Sequence, residues 1–289
     1  MQRNHPNSNV TTAHLHSFRV AKLQIVAQVT EASLGDATGF FCEFNEHTFL
    51  VTNWHVVSGR HYQTKKPLHH SQALPGILKV HTHISTTVIP LTAPSSSAVF
   101  RIALIADDGS PCWWEHPLFG CDVDVVAIPV DSSIPDCNKI YRIDLQAELA
   151  RNTQLAVMDQ AFVTGYPLSA TTTPNSLPIY KSGTIASEPR VFDSVPRIYI
   201  DGKTKTGMSG SPVMVKRHDV LGERHDMVAN ALDFVGIYSG RDRQERSEFE
   251  AELGLLWPYQ ECLIPIIEAY LDTATMADKA APKWSRSSG

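Results

Sequence analysis

The chain has 289 residues, of which 43% are hydrophobic and 19% charged, the proportions of a folded globular protein rather than a disordered one. Its net charge of −5 and scattered basic residues provide no phosphate-tracking surface, which excludes nucleic acid as the main partner. No apolar run is long enough to span a bilayer, so a membrane role is excluded as well.

In chain order, residues 1–17 are polar and aperiodic and read as a poorly ordered arm without the apolar stretch of a secretory signal, which implies a cytoplasmic chain. From Phe18 the pattern changes to short segments rich in Val, Ile, Phe and Tyr, bounded by Gly, Pro, Asn, Asp or Ser. FRVAKLQIVAQV, TGFFCEF, HTFLVTNW, AVFRIALIA, VDVVAIPV, AFVTGYP, PIYKSGTIA, PRIYIDG and VANALDFVGIY read as strands. So many short strands with turn signals between them predict an all-β barrel or sandwich. Residues 61–97, rich in His, Pro, Ser and Thr, read as an insertion with one short strand at most, and residues 107–120 as a second interruption. Residues 251–274 carry the helical spacing Leu263, Ile266, Ile267 and Tyr270 and read as a closing helix, followed by a polar tail over 275–289. The five cysteines, Cys42, Cys112, Cys121, Cys137 and Cys262, are odd in number and far apart, which suits a reducing compartment better than a disulfide framework.

The chemistry-bearing residues lie in three of these segments. In TGMSGSPV, Ser209 has Gly207 and Gly210 around it and Pro212 behind it, a tight turn in which the N–H groups of Gly207 and Ser209 can converge on a developing oxyanion. A serine hydroxyl needs a base within reach, and the base needs an orienting acceptor. His55, where the apolar strand TFLVTNWH turns over, is the candidate base. Asp124 is the candidate acceptor and is preferred to Asp122, because it abuts the apolar run VVAIPV and so must be buried with a partner. Each residue alone reads as an ordinary turn serine, strand-end histidine or capped carboxylate; together they define a nucleophile, a base and an orienter. Trp54 is assigned to packing. Cys112, His116 and Cys121, with Cys137, were weighed as a zinc site, but their spacing fits no common zinc pattern, so no metal or cofactor is expected.

These segments resemble the trypsin-like serine peptidases, and more closely their bacterial HtrA-like branch. DATGFFCEF is similar to the family's Gly-Ser/Thr-Gly-Phe strand, LVTNWHVV to its Val-Thr-Asn-x-His-Val-Val signature, and VTGYP, SGTIAS and DFVGIYSG to strands of its second barrel. Asp201 precedes Ser209 by eight residues, as an aspartate does in the HtrA-like pattern, and the order His, Asp, Ser is the family's.

The resemblance implies two six-stranded antiparallel barrels with the active site between them, over about 18–145 and 146–250 of a peptidase unit spanning 18–274. It implies a serine endopeptidase acting through an acyl-enzyme, with His55, Asp124 and Ser209 as triad and Gly207 and Ser209 as oxyanion donors. The alternative is an inactive or partner-gated fold that binds protein or peptide. Polypeptide is the expected substrate, pairing as an added strand with the backbone of Ile237, Tyr238 and Ser239, and a regulatory protein partner is a further expectation. Lys203, six residues before Ser209, falls where secreted relatives place the base of the primary pocket; with Lys205 and Arg241 it suggests acidic side chains, although cations facing water are the simpler reading.

Departures from the pattern are Met208, where secreted members hold an aspartate for zymogen activation, Ser211 in place of a glycine, and Cys42, which lacks a disulfide partner near the histidine. No PDZ domain fits after the peptidase unit.

Overall fold

The computed structural model describes residues 14–85, 96–132, 134–168, 176–202, 204–216, 232–241, 253–274 and 282–286. After a short helix α1 (Leu15–Arg19) come β1 (Val20–Ala27), β2 (Ser33–Phe44) and β3 (His47–Thr52). Asn45 and Glu46 both take positive φ, 48° and 66°, and close the β2–β3 hairpin at the Phe44–His47 pair. Such a two-residue turn twists in the sense that flanking strands require, and it sets the register that carries β3 inward with five consecutive buried residues.

Helix α2 (Trp54–Ser58), β4 (Pro75–Ile84), β5 (Ser96–Ala103), β6 (Val126–Pro129), β7 (Ile143–Asp144) and α3 (Leu145–Arg151) complete the first half. The second half contains β8 (Gln160–Gly165), β9 (Ile179–Ile185), β10 (Ile198–Asp201), β11 (Pro212–Lys216), β12 (Leu232–Arg241) and β13 (Leu253–Pro258), then α4 (Tyr259–Ala274) and β14 (Trp284–Arg286).

The second half closes as a six-stranded barrel in the order β10-β13-β12-β11-β8-β9. The first is a curled, open sheet ordered β14-β5-β4-β1-β2-β3-β6, with β7 pairing β2 in parallel. Its two edges approach where the Trp284 indole N–H donates to the Pro129 carbonyl, 2.9 Å, across the gap between β14 and β6. The all-β, two-barrel expectation therefore stands, with the first unit a half-barrel of eight strands rather than a closed barrel of six.

Three expectations about elements are corrected. The stretch 61–97 is no mere insertion, because β4 runs ten residues and pairs with both β1 and β5. Residues 253–258 are a barrel strand, so the closing helix starts at Tyr259. Within the stretch read only as a polar tail, Trp284–Arg286 form β14 and join the first sheet.

Two apolar clusters fill the units. One lies in the first sheet around Phe40, Phe49, Phe100 and Ile128 and extends under α4 through Cys262, Leu263, Ile266 and Ile267. The other fills the closed barrel around Val163, Ile200, Met208, Val213, Tyr238 and Leu256. Among the described residues no helix is long and apolar enough to cross a membrane.

Candidate active site

His55 enters the site from α2, one turn beyond the buried end of β3. Gly59, in the left-handed conformation, closes that turn by donating its N–H to the His55 carbonyl, 3.1 Å. The segment 122–125 runs beside it, and Asp124 is fully buried. One Asp124 oxygen, Oδ1, accepts the His55 backbone N–H at 2.9 Å, and the other, Oδ2, meets His55 Nδ1 at 2.7 Å. Both oxygens of the carboxylate thus hold the same residue, which answers the cost of burying it and fixes Nδ1 as the protonated ring nitrogen. Nε2 is left as the acceptor, on a side chain that is 18% exposed.

Asn53 locks the pair from behind. It is fully buried and donates from Nδ2 to the Asp124 carbonyl at 2.6 Å. The neighbouring Trp54 is anchored through its indole N–H to Glu115, 2.8 Å, under the ammonium of Lys65. Lys65 also reaches Asp122 at 3.0 Å, and that carboxylate is largely solvated. The preference for Asp124 over Asp122 follows from this contrast in burial.

Ser209 lies in the second half of the chain, in the turn that leads into β11. Gly207 has φ +95°, and a Cβ there would fall 2.5 Å from the Tyr166 carbonyl; Gly210 has φ +83°, with only 2.1 Å to the Thr38 carbonyl. Neither position accepts a side chain without moving backbone. The Thr206 carbonyl accepts the Leu168 N–H at 2.9 Å, which directs it away from the serine, and Met208 donates to Lys205 at 3.2 Å. Among the described residues the N–H groups of Gly207 and Ser209 have no protein acceptor. Two unengaged donors beside a half-buried hydroxyl are what an oxyanion site requires.

Thr38 ties this turn to the first sheet. Its N–H donates to the Ser209 carbonyl at 2.9 Å. Its hydroxyl donates to the Gly207 carbonyl at 2.8 Å and accepts the Tyr166 N–H at 3.0 Å. Its carbonyl accepts from the Thr52 hydroxyl at 2.8 Å. Among the described residues no hydrogen bond joins His55 Nε2 to Ser209 Oγ; the serine oxygen lies toward Gly240, 3.7 Å from where a Cβ on that residue would be.

The model of the trypsin-like peptidase domain matches residues 37–222, a span that contains His55, Asp124 and Ser209. The chain belongs to the trypsin-like peptidase family. Among solved structures, the chain is similar to one described as "Crystal structure of Deg5", with a TM-score of 0.42 and 13% identity over 89% of this chain and 87% of the other. No curated protein matches it.

The remaining expected site residues divide. The backbone of Tyr238 is already used, its N–H by the Ser211 carbonyl at 2.9 Å and its carbonyl by the Gly210 N–H at 2.8 Å, and Ile237 pairs with Pro212 and Trp257. Ile237 and Tyr238 therefore have no place as strand partners of a substrate. Ser239 and Gly240 lie where the β12–β13 register breaks, between Tyr238 and Arg241, and bulges of this kind border many active sites. Lys203 lies outside the described residues, as does the side chain of Arg241, and Lys205 is exposed.

The cysteines and histidine weighed for zinc have other surroundings. His116 accepts the N–H groups of Leu118 and Phe119 on Nδ1, at 3.2 and 3.1 Å, so its Nε2 donates to the Glu261 carbonyl at 3.1 Å. Burial lowers its pKa, in keeping with a neutral ring. Cys121 Sγ lies 2.9 Å from Lys65 Nζ, and Cys112 and Cys137 are buried.

Sequence reasoning used TGF and TNWH as motifs but missed the parts played by Thr38 and Asn53. It also missed a cavity of about 490 Å³ beyond Gly207, lined in part by Asp36, His81, His83, Tyr166 and Leu168. Burial lowers the pKa of His81, with Lys22 as a further cause, and burial likewise lowers that of His83. The Tyr166 phenol is pushed above its ordinary range, chiefly by burial.

Proposed function

We propose that this peptidase is an active serine endopeptidase that cleaves polypeptides through an acyl-enzyme. The observation that carries this reading is the fully buried Asp124 carboxylate, which holds both the backbone and Nδ1 of His55 and leaves Nε2 free to accept a proton. A histidine in that tautomer can act as a base through Nε2, and Ser209 is the hydroxyl proposed to give up its proton to it.

Ser209 Oγ forms a bond to the scissile carbonyl carbon as its proton passes to His55 Nε2. The carbonyl electron pair moves onto oxygen, where the N–H groups of Gly207 and Ser209 receive it, each worth about 3 to 4 kcal/mol in such sites. The intermediate collapses by breaking the C–N bond, and the leaving amine takes the proton from Nε2. Water then repeats the sequence against the ester and restores the serine. Asp124 stabilises the imidazolium in both halves and keeps its charge throughout. The break in the β12–β13 register at Ser239 and Gly240, beside Ser209, suits an extended chain pairing there as an added strand. The five unpaired cysteines support a reducing compartment as the place of action.

A second reading is a fold that binds peptide without cleaving it, favoured by the missing hydrogen bond between His55 and Ser209. Resting enzymes often hold such bonds loosely and tighten them on binding substrate. Labelling with a fluorophosphonate probe, read by intact mass, separates the two. The wild type is expected to gain one adduct. Ser209→Ala should gain none, His55→Ala should lose at least a thousandfold in rate, and Asp124→Asn should lose about ten-thousandfold, because the imidazole adopts the wrong tautomer. A folded wild type that takes no label supports the binding module instead.

A further inference from the structure

The first sheet is open between β5 and β6. β5 pairs with β4 along eight residues, β6 pairs with β3, and among the described residues β5 and β6 do not pair with each other. β14 lies in that opening. It lays three residues of ladder on the other edge of β5, with Trp284 opposite Ile102, Ser285 opposite Arg101 and Arg286 opposite Phe100. The Ala103 N–H adds a bond to the Lys283 carbonyl at 3.2 Å. A strand edge beside an apolar core takes up an extended segment that satisfies its N–H and C=O groups. Side chains then select which segment fits. Trp284 is the anchor: it is buried in the core of the first sheet, lies edge-on to Phe100 with ring centroids 6.3 Å apart, and donates its indole N–H to the Pro129 carbonyl on β6. A basic residue stands on each side of it. Lys283 reaches Asp107 at 2.6 Å, and Arg286 meets Asp136, which also holds Lys139.

We infer that the opening between β5 and β6 is a peptide-docking site, occupied in this structure by the chain's own C-terminal strand. It accepts from a partner protein an extended segment in which a tryptophan directly follows a basic residue and precedes an arginine by two positions. The recognition elements are an apolar place for one indole, an acceptor for its N–H, and a carboxylate for a cation on either side. The resident strand is held by little else. Lys283 and Asp107 are exposed, so their ion pair contributes little, and a three-residue strand at a sheet edge can open locally while the strands beside it stay paired. A tethered strand competes as if it were present at a concentration on the order of millimolar. A partner therefore displaces β14 by matching its anchor and cations, and a generic strand does not. This docking does not depend on the peptidase reading, since none of its residues is one proposed for the chemistry.

The test uses the full chain carrying Trp284→Ala, which vacates the anchor position. The probe is a fluorescein-labelled peptide with the sequence of residues 282–289, Pro-Lys-Trp-Ser-Arg-Ser-Ser-Gly. Binding is followed by fluorescence anisotropy and by the rise in unfolding midpoint that a ligand of the folded state produces. The variant should bind the probe saturably and at least about tenfold more tightly than the wild type, whose own tail competes for the site. The same peptide with alanine at the tryptophan should bind the variant at least about tenfold more weakly, as loss of a buried aromatic anchor requires. A probe with glutamate in place of its lysine and arginine should bind about threefold more weakly or worse. Trp284→Leu, which keeps apolar volume at the anchor position, replaces the alanine variant if that one does not fold. Absence of saturable binding to a folded variant, equal affinity for variant and wild type, or equal affinity for the tryptophan probe and either altered probe overturns the inference. Failure of both variants to fold overturns it as well, because β14 would then be an obligatory strand of the sheet rather than an exchangeable one.

Discussion

Gly207 brings the chemistry of the site down to one backbone angle. At φ +95° an L side chain is strained, and the space that a Cβ needs is taken by the Tyr166 carbonyl and the Leu168 amide at 2.5 and 3.0 Å. An alanine there must rotate the peptide that carries one of the two oxyanion donors. Gly207→Ala is therefore expected to fold, since the turn is local, but to slow fluorophosphonate labelling of Ser209 by about a hundredfold or more; labelling at the wild-type rate would show that this N–H is not used. The turn at Gly207 was legible because two glycines around a serine constrain the backbone whatever surrounds it. Asp124 was legible for a different reason, since an acidic residue at the head of an apolar run has to be buried and partnered. Thr38 and Asn53 were not legible. A threonine in a strand and an asparagine at its end have many satisfactory environments, and only the approach of chain segments distant in sequence shows which one applies.

At the scale of elements, the strands that sequence missed are those whose hydrogen bonds come from neighbours more than from their own composition. β4 contains His81, Thr82 and His83, so its polar residues mask an alternation that appears once β1 and β5 flank it. β13 is apolar throughout because both of its faces are covered, and a run without a period of two is easily read as the start of the helix that follows. β14 has three residues and no pattern to find. Its hold on the first sheet depends on Trp284, which is 9% exposed, stacks edge-on against Phe100 and donates to Pro129 on the opposite edge. Removing that side chain leaves a large cavity and an open seam. Trp284→Ala should lower stability by about 3 kcal/mol in urea unfolding while leaving the labelling rate of the folded protein near wild type. A loss of a few tenths would mean that the half-barrel is held by its other strands.

For the whole molecule, what matters is that the proposed site draws on both halves. His55 and Asp124 come from the first sheet and Ser209 from the loop ahead of a closed-barrel strand, so their separation is set by how the halves dock. Thr38 carries that docking in three hydrogen bonds, to Ser209, Gly207 and Tyr166, while a fourth, from Thr52, braces it within the first sheet. Two of the four use the hydroxyl. Thr38→Val keeps the shape of the side chain and both backbone bonds, but leaves the Gly207 carbonyl and the Tyr166 N–H buried without that partner, a cost of about 2 kcal/mol. Catalysis should suffer beyond this, because the Gly207 carbonyl is the acceptor that orients the oxyanion turn against the first sheet. The expected result is a modest drop in the unfolding midpoint together with at least a tenfold loss of labelling rate measured well below that midpoint. A stability loss without any loss of rate would place the alignment of the halves elsewhere, in the apolar contacts that Phe40 makes with Phe234 across the same seam.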